Sequence, residues 1–211
     1  MRCRIKFCGL RTEEDVAAAC SAGAWAVGFV LTGSARQVDL ETCRRLGEAV
    51  DARVLKVGVF ADEPAETIRR AVKDCRLDLA QVHAERSEEE WQVFRDLPVV
   101  RAIRVRGPES LQRLEAVRGR LFLLDAYVEG SAGGTGRTFD WSLARSAASV
   151  GCVILAGGLT PENVAEAIRE ARPWAVDVSS GIEREKGVKD PRRMRAFARA
   201  VHQACEEMED A

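Results

Sequence analysis

Short apolar runs recur along the chain near Ile5, Val27, Val57, Leu79, Val100, Phe122, Ile154 and Val176. They stand roughly 20 to 30 residues apart, a spacing that accommodates one strand, one helix and two loops. Between them the period changes. Val16, Ala19 and Cys20 in one segment, and Val164, Ala167 and Ile168 in another, recur at helical spacing, as outer helices packing on a sheet require. Thr12-Glu13-Glu14-Asp15 and Ser87-Glu88-Glu89-Glu90 read as capping boxes, and Pro64 and Pro161 suit first helical turns. Eight such units predict an α/β fold, a single (β/α)8 TIM barrel spanning residues 1–211. An open doubly wound sheet uses the same repeating unit, but eight strand candidates leave little room for an edge.

Composition narrows the function classes. With 211 residues, 46% of them hydrophobic, the chain can bury a full core as one domain. A net charge of -1 with no basic run argues against a nucleic-acid partner, whose phosphates call for a cationic face. No apolar stretch approaches the ~20 residues of a membrane span. Met1-Arg2-Cys3-Arg4-Ile5-Lys6 runs into the first strand without a signal-peptide core, so a cytoplasmic location is expected. The seven cysteines are odd in number, dispersed and free of any Cys-x-x-Cys, which argues against a disulfide framework or a zinc site. The cations are overwhelmingly arginine, with only five lysines, a bias that fits genome composition or heat adaptation.

Two of the apolar runs end in small residues. Cys152-Val153-Ile154-Leu155-Ala156 leads into Gly157-Gly158, and Ala175-Val176-Asp177-Val178 into Ser179-Ser180-Gly181. Glycines and serines there leave backbone N–H groups to point at an anion, and a helix is expected to open at Thr160-Pro161. In barrels of this kind a phosphate site commonly lies after strands seven and eight. Catalytic groups should stand at the C-terminal ends of the strands. There the first strand ends in Cys8 and the sixth in Asp125, a thiol and a carboxyl at one mouth. Proton transfer between them would need a thiolate base and a neutral acid. The phosphate-binding backbone is expected to favour the Cys8 thiolate, and Leu123, Leu124 and Ala126 to keep Asp125 protonated. Read alone, Cys8 serves equally as a small buried apolar side chain and Asp125 as a loop-starting hydrogen-bonding residue.

Taken in order, Lys6-Phe7-Cys8-Gly9-Leu10, Gly28-Phe29-Val30, Val57-Gly58-Val59-Phe60, Leu124-Asp125, the run Gly133 to Trp141, Gly157 to Val164 and Val176 to Gly181 resemble the phosphoribosylanthranilate isomerase family. The resemblance continues to Lys189-Asp190. It implies a cofactor-free Amadori rearrangement in tryptophan biosynthesis, turning N-(5′-phosphoribosyl)anthranilate into a 1-amino-1-deoxyribulose 5-phosphate. By the same resemblance Asp125 is the general acid at the ring oxygen and Cys8 the general base at carbon 2. Backbone around Gly157, Gly158, Ser179, Ser180 and Gly181 would hold the sugar phosphate, with Asp177 beside them and the loop of Gly134 and Gly136 closing over it. Arg36 matches the family's anthranilate-binding arginine, although the family's preceding proline is absent and the loop is one residue shorter. His83 is expected to line the substrate pocket, with Ala84 where the family has glycine. Members occur as monomers or homodimers, so either is expected. Among other phosphate barrels, the related histidine-pathway isomerase would want a carboxylate at Cys8, and indole-glycerol-phosphate synthase catalytic lysines. A non-catalytic sugar-phosphate binder would need neither Cys8 nor Asp125.

Alternation along strands adds one expectation. Residues two apart share a face, so Lys6 should point with Cys8 and Asp177 with Ser179. First and eighth strands are neighbours in a closed barrel, so Lys6 and Asp177 should meet inside it unless Lys6 snorkels to the bottom. Trp25, Trp91 and Trp174 are expected to pack rather than bind ligand, and Trp141 to open a helix and anchor the loop before it.

Overall fold

A computed structural model describes residues 3–105, 114, 120–126 and 141–209. The expected loop residues Gly134 and Gly136 lie outside them. Eight parallel strands close a barrel in chain order. They are β1 (Arg4–Cys8), β2 (Ala26–Val30), β3 (Leu55–Phe60), β4 (Leu79–Val82), β5 (Val99–Val105), β6 (Leu121–Ala126), β7 (Cys152–Ala156) and β8 (Ala175–Val178). Helices α1 (Glu13–Ser21), α2 (Leu40–Glu48), α3 (Ala65–Asp74), α4 (Glu88–Trp91), α5 (Trp141–Ala147) and α6 (Val164–Ala171) follow β1, β2, β3, β4, β6 and β7. After β8 come a short 3-10 turn at Ser180–Ile182, an antiparallel hairpin of β9 (Glu183–Glu185) and β10 (Val188–Lys189), and α7 (Pro191–Glu209). All eight expected strands are present, and the open-sheet alternative is excluded by the β1–β8 pairing.

Local chemistry explains the helix starts. Thr12 accepts a hydrogen bond from the Asp15 amide while the Asp15 carboxylate reaches back to the Thr12 amide, and Ser87 and Glu90 repeat the arrangement. Pro64 sits one position earlier than expected, at the cap before Ala65. The expected opening at Thr160-Pro161 is corrected: regular helix begins at Val164. Asn163 is the reason. Its Oδ1 accepts from the Thr160 amide at 2.8 Å and its Nδ2 donates to the Gly158 carbonyl at 3.0 Å, so the side chain organises residues 158–163 as a separate turn.

Side-chain alternation divides the core. Phe7, Phe29, Phe60 and Phe122 face outward into the layer beneath the helices, where Val16, Val164 and Ile168 are also buried. Inside, the base of the barrel is filled by Val100, Ala102, Leu123, Ile154, Ala156 and Ala175, with Trp25 and Trp174 packed against them. These two indoles meet edge to face with ring centroids 4.8 Å apart, and Arg4 stacks over Trp174, so they pack as expected. Trp91 is buried against Phe94, and Trp141 opens α5.

Above the apolar base lies a polar layer. Lys6 stands directly opposite Asp177 in the β1–β8 register, and its Nζ donates to Asp177 Oδ1 at 3.0 Å. Both side chains are buried, at 1% and 8% exposure, so the snorkelling alternative is excluded. Breaking such a pair from one side strands a charge in the interior, whereas replacing both partners with apolar groups removes the desolvation cost as well. Asp177→Ala is therefore expected to lower the unfolding free energy by about 3–5 kcal/mol, and the double variant Lys6→Met/Asp177→Leu to recover most of it. Denaturant unfolding monitored by circular dichroism measures both; equal losses would contradict the paired burial.

Candidate active site

Cys8 ends β1 and faces the interior beside Val30 and Val59. Its neighbour in register on β2 is Gly28, and a Cβ there would come within 2.9 Å of Cys8 Sγ and 3.3 Å of Lys6 Nζ. A residue without a side chain is thus what lets the thiol and the ammonium share the space. Three charges act on that thiol. Burial pushes it above the ordinary cysteine value, Lys6 and then Lys189 pull it down, and Asp177 pushes it up. Burial prevails, contrary to the expected favouring of the thiolate, so unliganded Cys8 is a thiol. Lys6 stays charged: burial opposes its ammonium, but Asp177 and Cys8 raise it above the ordinary lysine value.

Asp125 stands near the end of β6, three strands from Cys8 around the barrel. Burial raises its carboxyl above the usual carboxylate range, and the charge of Asp177 adds to the shift while Arg104 opposes it. The expected neutral acid is thus supported by its surroundings. His83 follows β4, tied back by its amide to the Phe60 carbonyl at 2.8 Å. Its Nδ1 lies 4.0 Å from Asp125 Oδ2, and its Nε2 lies 2.7 Å from Gln81 Nε2. Burial and the charges of Lys6 and Arg104 hold His83 down to about 4, so the ring is neutral at physiological pH. Gln81 is a neighbour the sequence reading missed. Its Oε1 is buried without a hydrogen-bond partner among the described residues, an open acceptor within the barrel.

Two turns form the opposite side of the mouth. Gly157 and Gly158 both have positive φ, at 92° and 64°, a conformation that side chains rarely adopt. Gly181 approaches so closely that a Cβ would lie 1.9 Å from the Leu159 carbonyl oxygen. The turns after β7 and β8 therefore abut, and Arg193 from α7 braces the second by donating to the Gly181 carbonyl at 2.9 Å. Ser179 is half-buried and Ser180 exposed, which leaves the two turns at the surface of the same mouth.

Arg36 is the third expected element. The segment after β2 turns tightly at Ser34–Gln37, with Ser34 Oγ accepting from the Arg36 amide and Val38 bonding back to Val30. The Arg36 stem then lies over Gly9, where a Cβ would meet it at 2.8 Å and Ser179 Oγ at 3.2 Å. Its guanidinium makes a two-point contact with Glu183, Nε to Oε1 at 2.6 Å and Nη2 to Oε2 at 2.8 Å. Lys189 Nζ donates to the same Glu183 Oε1 at 2.8 Å and to the Ser179 carbonyl at 3.0 Å. Glu183 and Lys189 were not singled out from the sequence; the run Gly181 to Asp190 carries both, but their partners lie far away along the chain. Asp177, Ser179 and Arg36 are thus brought to one region with Cys8, while Gly134 and Gly136 are outside the described residues.

What assembles at this mouth is a thiol, a carboxyl held toward its neutral form, and two sets of donors suited to anions. No group of three or more potential metal ligands occurs among the described residues, and no described helix is long and apolar enough to cross a membrane. The family model described as N-(5′-phosphoribosyl)anthranilate (PRA) isomerase matches residues 5–200. A Chromohalobacter salexigens protein named N-(5′-phosphoribosyl)anthranilate isomerase is 49% identical over 206 residues, which covers 95% of this chain and 94% of that one. The crystal structure of phosphoribosyl anthranilate isomerase from Thermotoga maritima superposes with a TM-score of 0.88 at 35% identity, covering 95% of this chain and 99% of that chain. A further crystal structure of the enzyme, in complex with reduced 1-(o-carboxyphenylamino)-1-deoxyribulose 5-phosphate, superposes with a TM-score of 0.84 at 34% identity, covering 95% and 99%. With the barrel and nearly the full length in agreement, the chain belongs to the N-(5′-phosphoribosyl)anthranilate isomerase family.

Proposed function

We propose that this isomerase of tryptophan biosynthesis converts N-(5′-phosphoribosyl)anthranilate with Asp125 as general acid and Cys8 as general base. The observation that carries the assignment is their placement: both stand at the C-terminal ends of their strands, with the turns after β7 and β8 at the same end of the barrel, and the surroundings of Asp125 favour its neutral form. Protonation of the furanose ring oxygen by Asp125 breaks the C1–O bond and leaves a Schiff base between C1 and the anthranilate nitrogen. The Cys8 thiolate then removes the C2 proton, and the electron pair moves to give an enolamine. Tautomerisation, with a proton added at C1 and one lost from the C2 hydroxyl, gives the ketose. The sum is an isomerisation, with no electron gained or lost.

The remaining groups hold the substrate ends. Backbone amides of the turns at Gly157–Gly158 and Ser179–Gly181 take the phosphate, and Arg36 takes the anthranilate carboxylate through its remaining guanidinium edge. Both anionic ends occur in the compound bound to the solved relative, a carboxyphenylamino sugar phosphate. Anchoring the non-reacting ends fixes C1, C2 and the ring oxygen between acid and base. His83, neutral and beside Asp125, completes that wall of the pocket, and Asp177 contributes its charge to both proton carriers. The proposed substrate is a soluble sugar phosphate, consistent with a cytoplasmic enzyme.

Phosphoribosylanthranilate generated in situ loses its anthranilate fluorescence on conversion, and progress curves give kcat and KM. Cys8→Ala and Asp125→Asn are each expected to lower kcat by about 10²–10⁴-fold with little change in KM. A raised KM at normal kcat in either variant would contradict the roles. Arg36→Met is expected to raise KM by about 10- to 100-fold, the loss of a charge-assisted hydrogen bond. An unchanged KM would remove Arg36 from the site.

The pH dependence follows from the same fields. The reactive form pairs a thiolate with a neutral carboxyl, while each group separately favours its protonated form up to its own raised pKa. Below the Asp125 pKa the carboxyl is already protonated and the thiolate fraction grows with pH, so kcat/KM rises. Between the two values the gain in thiolate cancels the loss of neutral acid, and above the Cys8 pKa only the acid is lost. A plateau is therefore expected, with its acidic limb above the ordinary aspartate value and its alkaline limb above the ordinary thiol value. An acidic limb at the ordinary carboxylate value would contradict the raised Asp125.

A further inference from the structure

The proposed mechanism leaves two buried side chains without a role, Glu183 and Lys189, which meet each other and Arg36. The Glu183 side chain is 5% exposed and that of Lys189 is fully buried, so neither serves to keep the surface in solution. A carboxylate next to a site built for a phosphate and a carboxylate is electrostatically adverse, since it repels both ends of the substrate. Its presence therefore asks for a reason other than charge balance.

Geometry supplies one. Arginine carries five N–H donors in a planar fork, and Glu183 takes the side-on pair, Nε and Nη2. A two-point contact fixes the plane as well as the position of the guanidinium. The Nη1 of the end-on edge is left out of this contact. Glu183 is in turn held on its other side. Lys189 donates to Oε1 at 2.8 Å, and the Gly187 amide donates to Oε2 at 3.2 Å. Gly187 has φ of 83° and packs so tightly on the segment after β2 that a Cβ would lie 2.9 Å from the Ala35 carbonyl oxygen. Arg11 Nη1 donates to that same carbonyl at 3.3 Å. The hairpin β9–β10 thus delivers a carboxylate to the arginine and clamps the loop that bears it. Lys189 also donates to the carbonyl and hydroxyl of Ser179, at 3.0 and 3.3 Å, on the turn assigned to the phosphate.

We infer that Glu183 is the positioning residue for Arg36, itself held by Lys189, which also ties it to the Ser179 turn. This inference rests on the reading of Arg36 as the carboxylate ligand. Burial works against the Glu183 charge, but hydrogen bonds from Arg36 and Lys189 hold its carboxyl down to about 2, so it is ionised at physiological pH.

The test is a double-mutant cycle read as binding rather than turnover. Calorimetry with reduced 1-(o-carboxyphenylamino)-1-deoxyribulose 5-phosphate gives Kd for the full-length wild type, Glu183→Gln, Arg36→Met and the double variant. Glu183→Gln is expected to weaken binding about tenfold in the wild-type background and by less than about twofold in the Arg36→Met background. Glu183→Asp, which keeps the charge but shortens the reach, is read in the same two backgrounds with the same expectation, so a glutamine variant that fails to fold leaves the test standing. Equal losses in both backgrounds would overturn the inference, because Glu183 would then act without Arg36. Tighter binding by Glu183→Gln would overturn it as well, since the carboxylate would then act as a repelling charge only. Failure of the wild type to bind the compound would overturn the functional reading itself and this inference with it.

Discussion

The hydrogen-bonded ion pair between Lys6 and Asp177 is the contact that joins closure of the barrel to the charges at its mouth. It lies across the seam where the first strand meets the last, the point at which a chain of strands becomes a closed barrel. A charged pair in that position tolerates little slippage, because a shift of one residue would turn both side chains to the opposite face of the sheet. The register it favours places Cys8 two residues beyond Lys6 and Ser179 two beyond Asp177, so the thiol and the serine turn stand at the same end of the barrel. Below the pair the barrel is packed with apolar side chains, and above it Cys8 stands beside Val30 and Val59. The pair therefore marks the floor of the active site.

The same charges then govern the chemistry. Cys8 and Asp125 are both held toward their protonated forms by burial, and they differ in which charges oppose it. Lys6 and Lys189 act on the thiol, and Arg104 on the carboxyl, while Asp177 raises both. One carboxylate thus serves to neutralise a buried lysine and to keep an acid protonated. The second cluster, Arg36 with Glu183 and Lys189, repeats the use of a carboxylate between cations. There it orients a donor in place of tuning a proton. In the proposed reaction Asp125 and Cys8 act at the ring oxygen and at C2, and the turns and Arg36 hold what lies beyond them.

Much of this was legible from the residues. Eight evenly spaced apolar runs became eight strands because each strand of a parallel barrel is buried on both faces and needs continuous apolar sequence. Thr12–Asp15 and Ser87–Glu90 formed capping boxes because the contact is local. The Lys6–Asp177 pair followed from alternation and closure together, although the partners are 171 residues apart. Where expectation failed, the deciding contact was not periodic. Proline at 161 suggested a helix start that the Asn163 side chain displaces to Val164. Glu183 and Lys189 sit in a hairpin too short to show a period, and their partner Arg36 lies on a distant loop. The direction of the Cys8 shift depends on how far burial, helped by one aspartate, outweighs two lysines, a balance that only distances decide.

The most direct measurement is the ultraviolet absorbance of the Cys8 thiolate as a function of pH, taken as the difference from Cys8→Ser and compared with the double variant Lys6→Met/Asp177→Leu in the same manner. Lys6 outweighs Asp177 at the thiol, so removing the pair should leave burial less opposed and move the Cys8 titration to higher pH. A titration unchanged or moved to lower pH would show that the pair closing the barrel does not also control its base.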